Sequence, residues 1–150
     1  GANALAGVKY DMLSAAKIAK AMGIPENNIK YIKNSEATKP NILKALQTLG
    51  SDRYTAYVML THDPKIDDPA LFHALRSDAF YIGALGSRKT HGSRLERLRT
   101  EGFSDNDISR IKAPIGLPIG AISPAEIALS ILGEITASLR LKADGTRASR

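Results

Sequence analysis

The sequence predicts an α/β fold, a three-layer sandwich with a mainly parallel sheet. Short stretches of apolar and β-branched residues alternate with stretches of helical periodicity, and the segments that join them are short. Such alternation is typical of parallel sheets, because two parallel strands need a crossover connection, which a helix commonly supplies. The chain has 150 residues, the size of one domain. We therefore expect residues 1–141 to form a single α/β domain and residues 142–150 a disordered basic tail.

The first fifty residues predict a helix, a strand and a second helix. Apolar side chains recur at helical spacing over about residues 9–22 and again over 39–49, and each stretch is followed by a glycine, Gly23 or Gly50. Between them, residues 29–33 alternate apolar and polar side chains and include β-branched and aromatic types. This alternation favours a short strand.

Two further strands are predicted to be buried. Residues 54–61 and 79–85 are nearly continuous in apolar and β-prone side chains, a pattern typical of strands covered on both faces. Between them we expect a helix that is capped by Asp68, carries Pro69 in its first turn and ends near Ser77.

The rest of the chain is predicted to be mostly helical. A strongly basic helix should reach about Arg99, and a short capped helix should occupy residues 104–111. Residues 113–122 contain two prolines and two glycines, so we expect them to be irregular. The last helix opens at Ser123 with the sequence Ser-Pro-Ala-Glu, which is a capping-box signature with proline at the first helical position.

Two loops leave the carboxyl ends of the buried strands, where ligands of parallel α/β sheets bind. In the second loop, Gly86 would let the backbone approach a ligand closely, and the free amides of the next helix would face an anion. Arg88 and Lys89 would add positive charge. The loops lie at residues 61–65 and 86–90, and the predicted cofactor-binding residues are Thr61, His62, Asp63, Gly83, Gly86, Ser87, Arg88, Lys89 and Thr90.

Each of these features also has a purely structural interpretation, and the residue types leave both open. The glycines would then only permit the turn, and the cations would be solvated. Asp63 would cap or brace the loop before Pro64, and His62 would be a partly exposed hydrogen-bonding residue.

The basic helix carries further cations beyond the loop. For Arg94, Arg97 and Arg99 we expect a solvated face or a face for an acidic protein partner. His91 lies near the basic loop and could contact a bound anion.

Composition excludes several classes of function. The chain has 21 Lys and Arg against 15 Asp and Glu, a net charge of +6, which favours anionic partners. The cations are scattered and lack interleaved aromatic residues, so we expect no nucleic-acid partner. No apolar stretch reaches the roughly 18 residues of a membrane span, so we expect no membrane partner. The absence of cysteine excludes disulfides, thiolate metal sites and a cysteine nucleophile, and it fits a cytoplasmic location.

Two familiar site signatures are also missing. The three histidines have no companion carboxylate at the spacing of a metal site, so we expect no metal centre. The G-x-G-x-x-G fingerprint does not occur, which argues against NAD(P) as the cofactor.

From about residue 52 to residue 139 the sequence resembles the C-terminal Rossmann-like domain of the XdhC/CoxI family. Several blocks match in order and with matching spacing, at residues 60–71, 79–90, 94–98, 102–104, 113–121 and 123–128. The resemblance implies an accessory protein that binds the molybdenum cofactor, a phosphorylated pterin, and protects it while its sulfido ligand is installed. It implies two partners, a sulfur donor and an apo-hydroxylase of the xanthine dehydrogenase type, and it points to the same two loops.

Residues 1–50 instead resemble part of a bacterial caspase-like peptidase domain, in blocks at 6–11, 19–25 and 37–43. Peptidases of that kind use a cysteine nucleophile, which this chain lacks, so the resemblance implies no protease activity. The sequence therefore predicts a composite domain, with a caspase-like segment at 1–50 and a XdhC-like Rossmann half at 51–141.

Three functional hypotheses follow. The first is a XdhC-like accessory protein that binds the molybdenum cofactor as an insertion chaperone and is not itself an enzyme. The second is a Rossmann-type NAD(P)-binding oxidoreductase, and the third is a folded chimeric or truncated α/β domain without activity. We prefer the first, because the family resemblance and the anion site inferred from the residues point to the same loops.

Overall fold

A computed structural model describes residues 20–21, 23, 25–28, 38–61 and 63–141 of the chain. The predicted strand at 29–33, nearly all of the predicted helix at 9–22, and the tail at 142–150 lie outside the described residues. The chain divides into two compact units, one made of Gly1–Ile29 with Gly116–Arg150 and the other of Lys30–Ile115. Within the described ranges, no helix has the length and apolar character needed to cross a bilayer.

The secondary structure is mixed, with short strands between helices. A 3₁₀ turn at Glu26–Asn28 lies in the described part of the N-terminal region. The remaining elements are α1 Lys39–Leu49, β1 Ala56–Met59, α2 Pro64–Leu75, β2 Tyr81–Ala84, α3 Arg88–Thr100, α4 Asp105–Ile108, β3 Ile111–Lys112 and α5 Pro124–Arg140.

The unit Lys30–Ile115 is built on a parallel sheet in the order β1-β2-β3. Tyr57 pairs with Ile82 across β1 and β2, and Gly83 pairs with Lys112 across β2 and β3. This sheet confirms the predicted α/β fold with a mainly parallel sheet. Because all three strands run the same way, the loops that follow them leave from the same edge.

Helices cover this sheet and form one apolar core with it. Helix α2 packs against α1, α3 and the strands β1 and β2. Its Leu71 is fully buried, as is Leu98 of α3, and burying a side chain of this kind stabilises a fold by about 1.5–3 kcal/mol. The buried core comprises Ile42, Leu46, Tyr57, Met59, Leu71, Ala74, Leu75, Ala79, Ile82, Ala84, Leu98, Ile108 and Ile111.

The two long predicted strands differ in their burial. All four residues of β2 are buried, as expected for a strand covered on both faces. In β1 only Tyr57 and Met59 are buried, whereas Ala56 and Val58 are exposed. The prediction of two covered faces is therefore wrong for β1, because this strand ends the described sheet and packs only one face on the core.

Helix α2 begins five residues earlier than the sequence predicted. Asp63, not Asp68, is the residue that caps it, and Pro64 takes the first helical position. Pro69 lies inside the helix, where it cannot donate to the carbonyl of the exposed Lys65. Both Asp-Pro pairs carry the same start signal, so the local pattern did not distinguish them.

The other unit contains α5, which begins as predicted. Ser123 Oγ accepts from the Glu126 amide at 3.3 Å, and Glu126 Oε2 accepts from the Ser123 amide at 2.8 Å. The hydrogen bonds that the Ser123 and Ile122 amides donate to its carboxylate lower the pKa of Glu126. Two hydrogen bonds join the segment that precedes α5 to this helix. The Gly116 amide donates to Glu134 Oε2 at 2.9 Å, and the Leu117 amide donates to the Ser130 carbonyl at 3.1 Å.

Candidate functional site

The loops that follow β1 and β2 come together at one edge of the sheet, as the sequence predicted. The Leu85 amide, just after β2, donates to the Met59 carbonyl at the end of β1 at 2.9 Å. Of the predicted site residues, His62 lies outside the described residues. The other eight lie in these two loops or in the strand and the helix beside them.

The loop after β1 is closed by its own hydrogen bonds. Asp63 Oδ1 accepts from the Lys65 amide at 2.9 Å and so caps α2, which confirms the structural interpretation of this residue. The Asp63 carbonyl accepts from the amides of Ile66 and Asp67, both at 3.0 Å. Thr61 Oγ1 donates to Asp67 Oδ1 at 2.7 Å.

The loop after β2 turns sharply at Gly86. This residue has a φ of +140°, and a Cβ built on it would lie 3.1 Å from Thr90 Cγ2, so the turn requires glycine. Ser87 then caps α3 by accepting from the Thr90 amide at 3.2 Å. Arg88 and Lys89 are exposed at the start of this helix, where backbone amides have no partner within the helix.

Gly83 has a different role from Gly86. It is buried within β2, and a Cβ there would lie 2.5 Å from Ile115 Cδ1. The strand therefore needs glycine at this position in order to pack against Ile115.

Arg94 is a residue that sequence reasoning placed wrongly. It was expected on a solvated face, but it is only 2% exposed. Its Nη2 donates to the Leu85 carbonyl at 2.9 Å and lies 3.6 Å from Oδ2 of the buried Asp67. The available signal was helical spacing, because Arg94 precedes the buried Leu98 by four residues and so shares its face.

The other arginines of α3 lie nearer the surface. Arg97 makes two hydrogen bonds to Asp68, at 2.6 and 3.1 Å, and hydrogen bonding to this carboxylate raises the pKa of Arg97. Arg99 is exposed and pairs with Asp105 at 3.0 Å. The expectation of a solvated face therefore holds for Arg99 but not for Arg94.

The first two turns of α3 also bury polar atoms without partners. Within the described part of the chain, Arg94 Nε, Arg94 Nη1 and His91 Nδ1 are buried and have no hydrogen-bond partner. Burial lowers the pKa of Arg94, although a guanidinium remains cationic at neutral pH. Burial, and secondarily the charge of Arg94, lowers the pKa of His91 and favours the neutral imidazole.

Two pockets of this unit lie away from the Gly86 turn. One, of about 700 Å³, lies between α1 and α2, where Leu46, His73 and Arg76 contribute to its lining. Another, of about 610 Å³, includes Asp63 and Lys65. Across the described ranges, no group of three or more histidine or acidic side chains could hold a metal ion. The distinctive feature of the predicted site is therefore its set of hydrogen-bond donors.

Comparison with known proteins gives relatives that are longer than this chain. The chain is 41% identical over 90 residues to the molybdenum cofactor insertion chaperone PaoD of Escherichia coli. This match covers 60% of this chain and 28% of that protein. It is 39% identical over 69 residues to the uncharacterized protein YqeB of Escherichia coli. This match covers 46% of this chain and 13% of that protein. This chain thus spans less than a third of either relative.

A solved structure shows the same fold. The crystal structure of a xanthine dehydrogenase from Bacillus halodurans matches with a TM-score of 0.62 at 21% identity, over 89% of this chain and 40% of that chain. A family model described as the XdhC Rossmann domain matches residues 4–135, a range that includes most of the segment predicted to be caspase-like. On this match the chain belongs to the XdhC Rossmann domain family.

Proposed function

We propose that this chain is part of an accessory protein for insertion of the molybdenum cofactor, and that it takes part in binding that cofactor. Its partners would be an apo-hydroxylase of the xanthine dehydrogenase type and a sulfur donor, in the cytoplasm. The proposal is supported by membership of the XdhC Rossmann domain family and by the named role of PaoD. In this role the chain binds and delivers a cofactor and is not itself an enzyme.

The donors at the sheet edge suit the phosphate of a pterin cofactor. Gly86 provides a backbone without a side chain, and the exposed Arg88 and Lys89 provide two positive charges beside the start of α3. Serine and threonine hydroxyls at 87 and 90 add short polar groups. The chain has no cysteine, so these loops would hold the organic part of the cofactor and not the metal through a thiolate.

The observation that carries the proposal is the contrast between an anchored turn and unpaired cations. The turn at Gly86 is held by the hydrogen bond from Arg94 to Leu85, while Arg88 and Lys89 form no ion pair among the described residues. Cations that are paired contribute little to attracting a ligand, whereas these two remain available. The residues that this proposal uses are Gly86, Ser87, Arg88, Lys89 and Thr90 of the second loop. The sequence also predicts Thr61, His62, Asp63 and Gly83 as binding residues, and for these four a binding role stays a prediction.

Thermal unfolding with added molybdopterin tests this function. A ligand at a hundred times its Kd stabilises the native state by about 2.7 kcal/mol, so the melting temperature of the wild-type chain should rise. The double variant Arg88→Ala/Lys89→Ala should lose most of this rise. The matched control Lys44→Ala/Arg53→Ala also removes two exposed cations, outside the loops, and should keep it.

The same measurement separates the competing hypotheses. A rise with NAD(P) but not with molybdopterin would support an oxidoreductase, although no observation on the described residues favours one. A melting temperature that is indifferent to both ligands would support a folded domain without activity and would contradict the proposal.

A further inference from the structure

Among the described residues, the buried side-chain polar atoms that lack a hydrogen-bond partner are concentrated in one place. Within the residues that the structure describes, all three buried side-chain nitrogens without a hydrogen-bond partner belong to His91 and Arg94. These residues are three apart in α3 and therefore lie on the same side of the helix.

Such donors are costly to bury without a reason. A buried donor without an acceptor destabilises a fold by about 1–3 kcal/mol, and more when it is charged, so native proteins seldom retain one. The Asp67 carboxylate does not remove this cost, because its Oδ2 lies 3.6 Å from Nη2 and leaves Nε and Nη1 without a bond. Two guanidinium donors and one imidazole nitrogen are thus left without an acceptor among the described residues.

The surroundings of these donors indicate where that acceptor approaches. A Cβ built on Gly86 would lie 3.8 Å from Arg94 Nη1, so the guanidinium lies under the turn at a residue that has no side chain. Thr90 lies on the same side, 3.1 Å from that position. Arg94 Nη1, the Gly86 turn and Thr90 near the start of α3 therefore lie close together.

We propose that Arg94 and His91 form the floor of a site for a tetrahedral oxyanion that binds at the Gly86 turn. Arg94 Nε and Nη1 donate to two oxygens of the anion, and His91 in its Nδ1–H tautomer donates to another. Arg88 and Lys89 lie at the rim. Because Asp67 offsets the charge of Arg94, the net positive charge of the site comes from this rim.

This inference deepens the proposed function and rests on it for one of two possible sources of the anion. The oxyanion is either the phosphate group of a phosphorylated pterin or a free ion such as inorganic phosphate or molybdate. The chemistry of recognition is the same for both, since each offers several negatively charged oxygens at tetrahedral angles.

Titration of the full chain with three probes distinguishes these sources. Inorganic phosphate, molybdate and molybdopterin are each added while the melting temperature and the heat of binding are followed. We expect His91→Ala to weaken binding of the effective probe about tenfold and Arg94→Gln about 10–100-fold, the loss typical of one charge-assisted hydrogen bond or more. The control Arg99→Gln, at the exposed far end of the same helix, should bind as the wild type does.

The variant Arg94→Gln removes a buried group and could unfold the chain, so His91→Ala and Arg94→Lys are measured beside it. Arg94→Lys keeps the charge but not the planar pair of donors, and it should lose binding to nearly the same extent.

A response to molybdopterin that is unchanged in His91→Ala and Arg94→Lys would overturn this inference and leave the proposed function standing. Binding of phosphate or molybdate through these residues, with no response to molybdopterin, would support the oxyanion site and contradict the proposed function. No response to any probe would overturn both.

Discussion

The loops after β1 and β2 leave the same edge of the sheet, yet they differ in what they do with their polar groups. After β1, Asp63 and Thr61 use their oxygens to cap α2 and to bind Asp67. After β2, the turn at Gly86 is followed by exposed cations and lies over the unpaired donors of Arg94. A polar loop at a strand end is therefore not by itself a binding site, because its polar groups can satisfy one another.

The first loop uses its polar groups in structural hydrogen bonds, and our proposal places anion binding at the second loop. The same buried pair connects them, since Asp67 belongs to the helix that follows the first loop and Arg94 belongs to the helix that follows the second. The first loop thus supports the second by holding the acidic partner of its buried cation.

The largest expected effect comes from removing that acidic partner. Asp67→Asn should lower the free energy of unfolding by about 3 kcal/mol, because it leaves the buried guanidinium of Arg94 without a compensating charge. The matched control is Asp68→Asn, whose partner Arg97 is 37% exposed and for which we expect a loss of about 1 kcal/mol or less. Urea denaturation measures both, and equal losses would show that the buried pair is not the connection between the loops.

The next effect separates two glycines of the same region. Gly86→Ala should destabilise the chain by about 1–3 kcal/mol, because a side chain is strained at a φ of +140° and crowds Thr90. Gly92→Ala places the same methyl group in open space within α3 and should stabilise it by about 0.5–1 kcal/mol. Thermal and urea unfolding should therefore give opposite signs. Two changes of the same sign would mean that the Gly86 turn is not required as described.

A third prediction separates stability from ligand response. Asp63→Ala should cost about 1 kcal/mol through loss of the cap of α2, and it should leave stabilisation by the effective anion unchanged. The double variant of Arg88 and Lys89 should behave in the opposite way, with unfolding altered by less than about 0.5 kcal/mol for each exposed residue but the anion response lost. Melting curves with and without anion test both halves. If Asp63→Ala also lost the anion response, the division between the two loops would be wrong.

The smallest expected effect is a pH dependence at His91. Its pKa in the folded chain is lowered from the ordinary value of 6.5 by burial and by the charge of Arg94. Below 6.5 the unfolded chain therefore binds more protons than the folded one, so stability falls as the pH drops from 6.5 through the folded pKa. Comparing unfolding free energies of the wild type and His91→Gln against pH isolates this contribution. If the unfolding free energies of the wild type and of His91→Gln change in parallel with pH, His91 does not contribute this pH dependence.

Local signals in the sequence predicted a good part of this structure. The capping box at Ser123 was identified because its two hydrogen bonds join residues only three apart. The proximity of the two loops followed from the parallel direction of their strands, which the alternation of strands and helices indicated. The start of α2 was misplaced because Asp63-Pro64 and Asp68-Pro69 carry equal local signals, and packing selects between them.

What the sequence alone determined was the alternation of elements, the parallel sheet and the loops at its carboxyl edge, since each depends on residues close together in the chain. Only the tertiary structure decided that Arg94 is buried and that its donors meet the Gly86 turn. That outcome depends on Asp67, which is 27 positions away in the chain and belongs to another helix. The physical reason is that helical spacing indicates only that Arg94 shares a face with Leu98, whereas the burial of its charge is set by the groups that come to surround it.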